Sequence, residues 1–171
     1  SFNAVANLYD TLGGQYPDER DKWVQELEKW TTERAENTSV PARYRADAYS
    51  SLAAKKYTCA NEISDVEPVK KTVKEDGKDV FKFSKPEKPE DYDKFVQCVQ
   101  QGTALVDKAV ALEDDEARNI KSANIDKSTS EADLTKYNEL ARIWAKAWSF
   151  KASMSRQSMR LADMDGKAPE K

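Results

Sequence analysis

The sequence predicts an all-α protein, a single helical domain over residues 1–171 that is built of stacked antiparallel helix pairs with a small β-hairpin insertion. Apolar residues recur in steps of three and four along most of the chain, which is the spacing of helices with one buried face. Gly and Pro number only 5 and 6, too few for the turns of a β-sandwich or barrel. A chain of this length can bury a core of its own.

The first 36 residues contain two predicted helices. Residues 2–12 carry apolar side chains at helical spacing, and Gly13–Gly14 ends this helix. The next helix covers 17–36, with a proline in its first turn and acidic residues close behind it, where the helix dipole favours them. We expect its apolar stripe to lie in the core, and the stripe consists of Trp23, Leu27 and Trp30.

A third helix is predicted from Pro41 to about Asp65, and an insertion over residues 65–90 follows it. Within the insertion, residues 72–83 form two short β-prone arms about Asp76–Gly77, a dipeptide that favours a two-residue hairpin turn. A solvated insertion is the favoured interpretation. The alternative is a docking arm whose strand edge pairs with a neighbour.

Three further helices are predicted over about 91–112, 114–124 and 130–164. Ser130 followed by Asp133 resembles a capping box and marks the start of the long last helix. Residues 166–171 are expected to form a flexible tail. The packing positions predicted for the last helix are Leu134, Tyr137, Ala141, Trp144, Trp148, Ala152, Ser155, Met159 and Ala162.

Two of these helices carry a small/large order of side chains typical of close helix crossings. One has an aromatic, an aliphatic, a small and a second aromatic residue in turn, at Tyr49, Leu52, Ala53 and Tyr57. The other alternates small and bulky residues at Gly102, Val106, Ala109, Val110 and Leu112. These two patterns resemble degenerate tetratricopeptide repeats, units of about 34 residues made of two antiparallel helices.

The chain departs from that family at three points. Trp23 and Trp30 stand where the repeats hold small residues, Asp114 stands where they usually hold Pro, and the insertion separates helices that a tight turn would join. The resemblance implies a superhelical stack with a concave face that binds a peptide or protein. It also implies candidate partner-contact residues, which are Tyr44, Arg45 and Tyr49.

Composition argues against several classes of function. The chain has no His, and no Ser is followed by Lys three residues later, so neither the commonest general base nor a Ser–Lys dyad is present. We therefore predict a non-enzymatic protein without a cofactor or metal site. A net charge of −3 without a basic stripe predicts no nucleic-acid partner. No apolar run approaches the ~20 residues that span a membrane.

The two cysteines, Cys59 and Cys98, fall on helices predicted to be neighbours, and they form either one disulfide or two buried thiols. Asn37-Thr38-Ser39 satisfies the N-glycosylation sequon in a predicted loop, which makes Asn37 a candidate modification site. The chain starts at Ser1 rather than Met, as a processed chain would. These features favour a secreted, periplasmic or cell-envelope protein, with a cytoplasmic location as the alternative.

The leading functional hypothesis is a scaffold or interaction protein that binds a protein or peptide through its helical surface. The alternative is a structural subunit of an extracellular or envelope assembly, such as a filament, which binds copies of itself. A ligand-binding bundle with a pocket at Trp144 and Trp148 is the third hypothesis, although tryptophans at helical spacing more often belong to the core.

Overall fold

The computed structural model of the protein describes residues 8, 11, 16–121, 125–126 and 129–167. Most of the helix predicted over residues 2–12 and most of the predicted tail fall outside this part of the chain. Within it the fold is mostly helical, with one two-stranded antiparallel sheet, as predicted. The elements are α1 (Pro17–Glu36), α2 (Ala42–Ser64), β1 (Lys70–Glu75), β2 (Lys78–Phe83), α3 (Pro89–Ala111), α4 (Asp115–Lys121) and α5 (Glu131–Met164).

Local signals account for most of these boundaries. Pro17 and Pro89 each stand in the first turn of a helix, where the missing backbone N–H costs nothing. Ser130 caps α5, because its Oγ accepts a hydrogen bond of 3.1 Å from the backbone N–H of Asp133. The predicted N-cap role of Ser130 is thereby confirmed, and the Asp133 carboxylate accepts a hydrogen bond of 2.6 Å from Ser130 Oγ.

Three helices, α2, α3 and α5, each pack against the other two and form the centre of the fold. Cross-helix contacts define their directions. Tyr92 at the start of α3 meets Asp165 just beyond the end of α5, so α3 runs antiparallel to α5. Lys146 and Gln157 of α5 meet Asp47 and Ser64 of α2 in the same order, so α2 and α5 are parallel. The outer helix α1 packs antiparallel against α2, and α4 packs on α5.

The three central helices converge at Gly102 of α3. A Cβ atom at this position would lie 2.6 Å from Met154 Cε of α5 and 3.1 Å from Lys56 Cβ of α2. Both distances are shorter than ordinary van der Waals contact, and Met154 is fully buried. The absent side chain of Gly102 therefore sets how closely α3 approaches its two neighbours.

Cys59 of α2 and Cys98 of α3 form a disulfide, with Cα atoms 6.2 Å apart. The sequence left open whether these cysteines form a disulfide or two buried thiols, and in the structure they form the disulfide. It lies one turn from the convergence at Gly102 and joins two cysteines that are 39 residues apart in sequence, on helices that flank the hairpin insertion.

A buried polar network joins the end of α2 to α5. Ser64 Oγ donates to Gln157 Oε1 at 3.0 Å, and both residues are fully buried. Arg160 Nη1 donates to Ser64 Oγ at 2.7 Å and to Asn61 Oδ1 at 3.2 Å. Because these buried polar groups satisfy one another, the network fixes the register of α5 against α2.

The packing face of α5 differs from the predicted one on both sides of Trp144. The buried residues of this helix are Leu140, Ile143, Trp144, Ala147, Met154, Gln157 and Met164. The predicted positions Trp148 and Met159 are exposed by 41% and 57%. The prediction, which followed steps of three and four along the sequence, was wrong here because close helix packing and hydrogen bonding place Ala147 and Gln157 inside.

Not all of the tryptophans predicted to lie in the core are buried. Trp144 is buried between Ala46 and Ala117, which confirms the prediction for this residue. Trp30 is 41% exposed, and the prediction was wrong for it. Among the described helices, α1 makes its main contacts with α2 alone, and Trp30 lies on a flank of α1 that this contact leaves partly exposed.

The insertion contains the predicted hairpin. Asp76 and Gly77 have φ values of 51° and 78°, and a two-residue turn with both φ values positive matches the twist of the strands. The base of the hairpin is fixed, because the Phe83 N–H donates to Asp163 Oδ2 of α5 at 2.7 Å and Lys70 pairs with Asp65 at 2.7 Å. Among the described residues, none of the helices combines the length and apolar character of a membrane span.

The contact at Gly102 predicts the effect of enlarging this residue. We expect Gly102→Val to lower the free energy of unfolding by about 1–3 kcal/mol, because the added methyl groups overlap Met154 in the core. Gln101→Val, on the adjacent exposed position, is the control and should change stability by less than about 0.5 kcal/mol. Urea unfolding measures both, and equal stability of Gly102→Val and wild type would contradict the close approach.

The disulfide predicts a second change in stability. We expect the double substitution Cys59→Ala, Cys98→Ala to lower the free energy of unfolding by about 2–4 kcal/mol, since the unfolded chain loses a constraint across a long loop. Wild-type protein unfolded with a reductant present should behave like the double variant. A native, unreduced protein that reacts with a thiol reagent at both cysteines would refute the bond.

Candidate functional site

The most prominent surface feature of the helical part is a row of aromatic and arginine side chains on α1 and α2. Arg34 Cζ lies 5.4 Å from the ring centroid of Trp30 and 5.3 Å from that of Tyr44. Arg43 Cζ lies 4.8 Å from the Tyr44 centroid. We call Trp30, Arg34, Tyr44 and Arg43 the aromatic–arginine ladder; all its spacings fall within the range of cation–π attraction.

The local fold explains why these side chains meet. Trp30 and Arg34 are one helical turn apart on α1, so they share a face. The turn at residues 37–39 reverses the chain and brings the first turn of α2 against the last turns of α1. Arg45 Nε then donates to the Ala35 carbonyl at 3.0 Å, and its positive charge suits the C-terminal end of α1.

Two clefts border Trp30 on either side. One has a volume of about 290 Å³ and lies between α1 and α2, with Leu27 and Leu52 in its lining. The other, about 370 Å³, lies over the last turns of α1, with Arg34, Asn37 and Val40 in its lining. An exposed tryptophan with a cleft on each side can fill a partner's pocket while the partner's side chains enter these clefts.

The structure does not bring the three predicted contact residues to one surface. Tyr44 belongs to the aromatic–arginine ladder, whereas the Arg45 side chain donates its hydrogen bond to the Ala35 carbonyl. Tyr49 is only 6% exposed and packs in a cluster with Ala109 and Ala147. Five helical positions separate Tyr44 from Tyr49, which turns the second side chain by about 140° from the first.

The candidate glycosylation residue Asn37 lies in the exposed turn between α1 and α2, as its predicted loop position requires. Its Oδ1 accepts a hydrogen bond of 3.0 Å from the backbone N–H of Ser39. This turn is stabilised by its own side chain and contributes to the lining of the second cleft beside Trp30.

Sequence reasoning missed Arg34 and Arg43 as parts of this site and treated Trp30 as a core residue. The spacing of Trp30 and Arg34, one turn apart, and the adjacent Arg43–Tyr44 pair were signals that could have indicated stacking. What the sequence could not indicate was that these two pairs face each other across the α1–α2 turn.

A polar cluster at the opposite end of the fold joins α3, α5 and the segment between β2 and α3. Tyr92 OH donates to Asp165 Oδ1 at 2.5 Å, and Lys85 Nζ lies 3.2 Å from the same oxygen. The hydrogen bond from Tyr92, followed by those from Lys85 and Lys167, lowers the pKa of Asp165 from its ordinary 3.8 to about 2. The same bond to Asp165 raises the pKa of Tyr92.

No grouping of three or more potential metal-ligating side chains occurs within the residues that the structure describes. The protein was also compared with known proteins, and no family model, curated protein or solved structure matches the chain. Function therefore has to be inferred from the surfaces of this molecule alone.

The Asp165 cluster predicts a pH dependence of stability. Because the folded-state pKa lies below the ordinary value, the cluster stabilises the fold above about pH 4, and this stabilisation disappears as the pH falls toward 2. We expect Asp165→Asn to be less stable than wild type at pH 7, with a difference that shrinks on acidification from pH 4 to pH 2.

Urea titrations at several pH values measure this difference. Asp93→Asn is the matched control, because Asp93 is an exposed carboxylate of α3 with no hydrogen bond or ion pair among the described residues. A destabilisation by Asp165→Asn that stays constant between pH 7 and pH 2 would show that the charge of Asp165 plays no part.

Proposed function

We propose that the protein is a non-enzymatic interaction or scaffold protein whose α1–α2 face binds a peptide or protein segment. The observation that carries the proposal is Trp30, a large aromatic side chain that is 41% exposed, stacked by Arg34 and bordered by two clefts. Trp, Tyr and Arg are the residues that contribute most to binding energy at interfaces, and the aromatic–arginine ladder consists of these three types.

The antiparallel packing of α1 on α2 and of α2 on α3 supports a repeat-like arrangement of the kind that the tetratricopeptide resemblance implies. In such a stack the ladder lies on one exposed face while the small residues of the crossings lie inside. Stacking against the rings also restricts the guanidinium groups before a partner arrives, which reduces the entropy lost on binding.

The Cys59–Cys98 disulfide supports a place in an oxidising compartment, which we propose to be the extracellular space, the periplasm or the cell envelope. The alternative function, a subunit of an extracellular or envelope assembly, also draws on this bond and on the exposed hairpin. The hairpin's residues 70–83 carry five lysines against three acidic residues, and lysines on an edge strand oppose pairing with a copy of the same edge.

A peptide selection tests the proposed function. Displayed random peptides are selected on the wild-type protein, and the Kd of the enriched peptides is then measured against Trp30→Ala. We expect this substitution to weaken binding at least tenfold, as loss of an interface tryptophan does. Trp148→Ala is the matched control, because Trp148 is equally exposed at 41% and should leave the Kd within about twofold.

Two results would contradict the proposal: a selection that enriches no peptide, or peptides that bind Trp30→Ala as tightly as wild type. Light scattering over a range of protein concentrations distinguishes the interaction protein from the assembly subunit. The assembly alternative predicts that the measured molecular mass rises with protein concentration. A constant monomer mass would remove the support for that alternative.

A further inference from the structure

A cleft between β2 and the last turns of α5 lies outside the surface described so far. Its volume is about 440 Å³, within the range of pockets that bind ligands. Phe81 and Phe83 line it from β2, and Arg156, Met159 and Asp163 line it from α5. We call it the β2–α5 cleft.

Two large apolar side chains in this cleft are unusually exposed. Phe81 is 58% exposed and Met159 is 57% exposed. Scattered apolar residues are normal on a protein surface, but these two line one concave site, where a single apolar side chain of a partner can cover both. Methionine adapts its shape to different partners.

The outer edge of β2 faces the same cleft. Val80 pairs with Val73 across the two-residue turn, and its backbone N–H and C=O point toward β1. Because these directions alternate along an antiparallel strand, the backbone groups of Phe81 and Phe83 point away from β1. The bond from the Phe83 N–H to Asp163 agrees with this alternation. The backbone N–H and C=O of Phe81 have no hydrogen-bond partner among the described residues, so this edge can accept another strand.

The charge of the cleft is positive. Arg156 is exposed and makes no hydrogen bond or ion pair within the described part of the chain. Lys82 and Arg160 also line the cleft, but they pair with Glu75 at 3.1 Å and with Asp65 at 3.6 Å. The one lining carboxylate, Asp163, accepts the Phe83 N–H, so Arg156 is the lining cation that a ligand carboxylate can reach. An approaching strand with carboxylates would therefore be attracted, whereas a second copy of the lysine-bearing β2 strand would be repelled.

We propose that the β2–α5 cleft binds an acidic, extended segment of a partner protein by strand addition to β2. The backbone of the segment pairs with the free N–H and C=O of Phe81. An apolar side chain of the segment packs between Phe81 and Met159, and a flanking carboxylate pairs with Arg156. This site is separate from the aromatic–arginine ladder and does not depend on the function proposed for it.

Fluorescence anisotropy with a synthetic peptide tests the proposal. The probe is a fluorescein-labelled peptide of about seven residues that alternates Glu with Leu and Phe, so that apolar side chains share one face of the strand. We expect it to bind wild-type protein saturably. Arg156→Glu should weaken binding at least tenfold, because it replaces an attractive charge with a repulsive one.

Three controls separate the features of the site. Arg142→Glu makes the same charge change at an exposed position of α5 outside the cleft and should leave the Kd within about twofold. A peptide with Lys in place of Glu should not bind. A peptide N-methylated at its central amides keeps its charge and side chains but cannot pair with Phe81, and it should bind at least tenfold more weakly.

The proposal is overturned if the acidic peptide does not bind, if Arg156→Glu binds it as well as wild type does, or if N-methylation has no effect. Dimerisation of the protein that competes with the peptide and is lost in Arg156→Glu would also overturn it, since a second copy would then be the occupant. Trp30→Ala should bind the acidic peptide as tightly as wild type does. A failure of the strand-addition proposal can therefore be distinguished from a failure of the function proposed for the α1–α2 face.

Discussion

The close approach of three helices at Gly102 is the constraint on which the rest of the structure depends. Without a side chain there, α3 lies against both Met154 of α5 and Lys56 of α2. Small residues continue this approach along the crossings, at Ala53, Ala109 and Ala147, all with no exposed surface. The same approach brings the two cysteines within bonding distance, so the disulfide reinforces a geometry that packing already favours.

The close packing of the central helices also bears on which large side chains are exposed at the surface. Helices that approach closely through glycine and alanine leave room for only some large side chains at their crossings, such as Met154 and Trp144. Other large residues, Trp30, Trp148, Met159 and Phe81, are exposed. Three of them, Trp30, Met159 and Phe81, line clefts that also have an arginine in their lining.

Local sequence signals were sufficient to predict the helices and the hairpin of this fold. They did not predict which faces of the helices pack against residues far away in sequence. The capping residue Ser130 and the turn at Asp76–Gly77 specify their structures within four residues, so sequence predicted them correctly. The inward face of α5 depends on partners far away in sequence: Gln157 is buried because Ser64, 93 residues earlier, bonds to it. Helical spacing alone included Met159 in the predicted face, which differs from the observed buried face by about one residue along the helix.

The placement of the two proposed surfaces suits a scaffold. Tyr44 of the aromatic–arginine ladder lies in the first turn of α2, whereas Ser64 at its other end bonds to Arg160, which lines the β2–α5 cleft. Twenty residues of helix separate them by about 30 Å. Partners at these two ends would not compete for space, and α2 is held between them by α3, α5 and the disulfide. A rigid central helix with a binding surface at each end can hold two proteins at a defined separation, which neither surface could do alone.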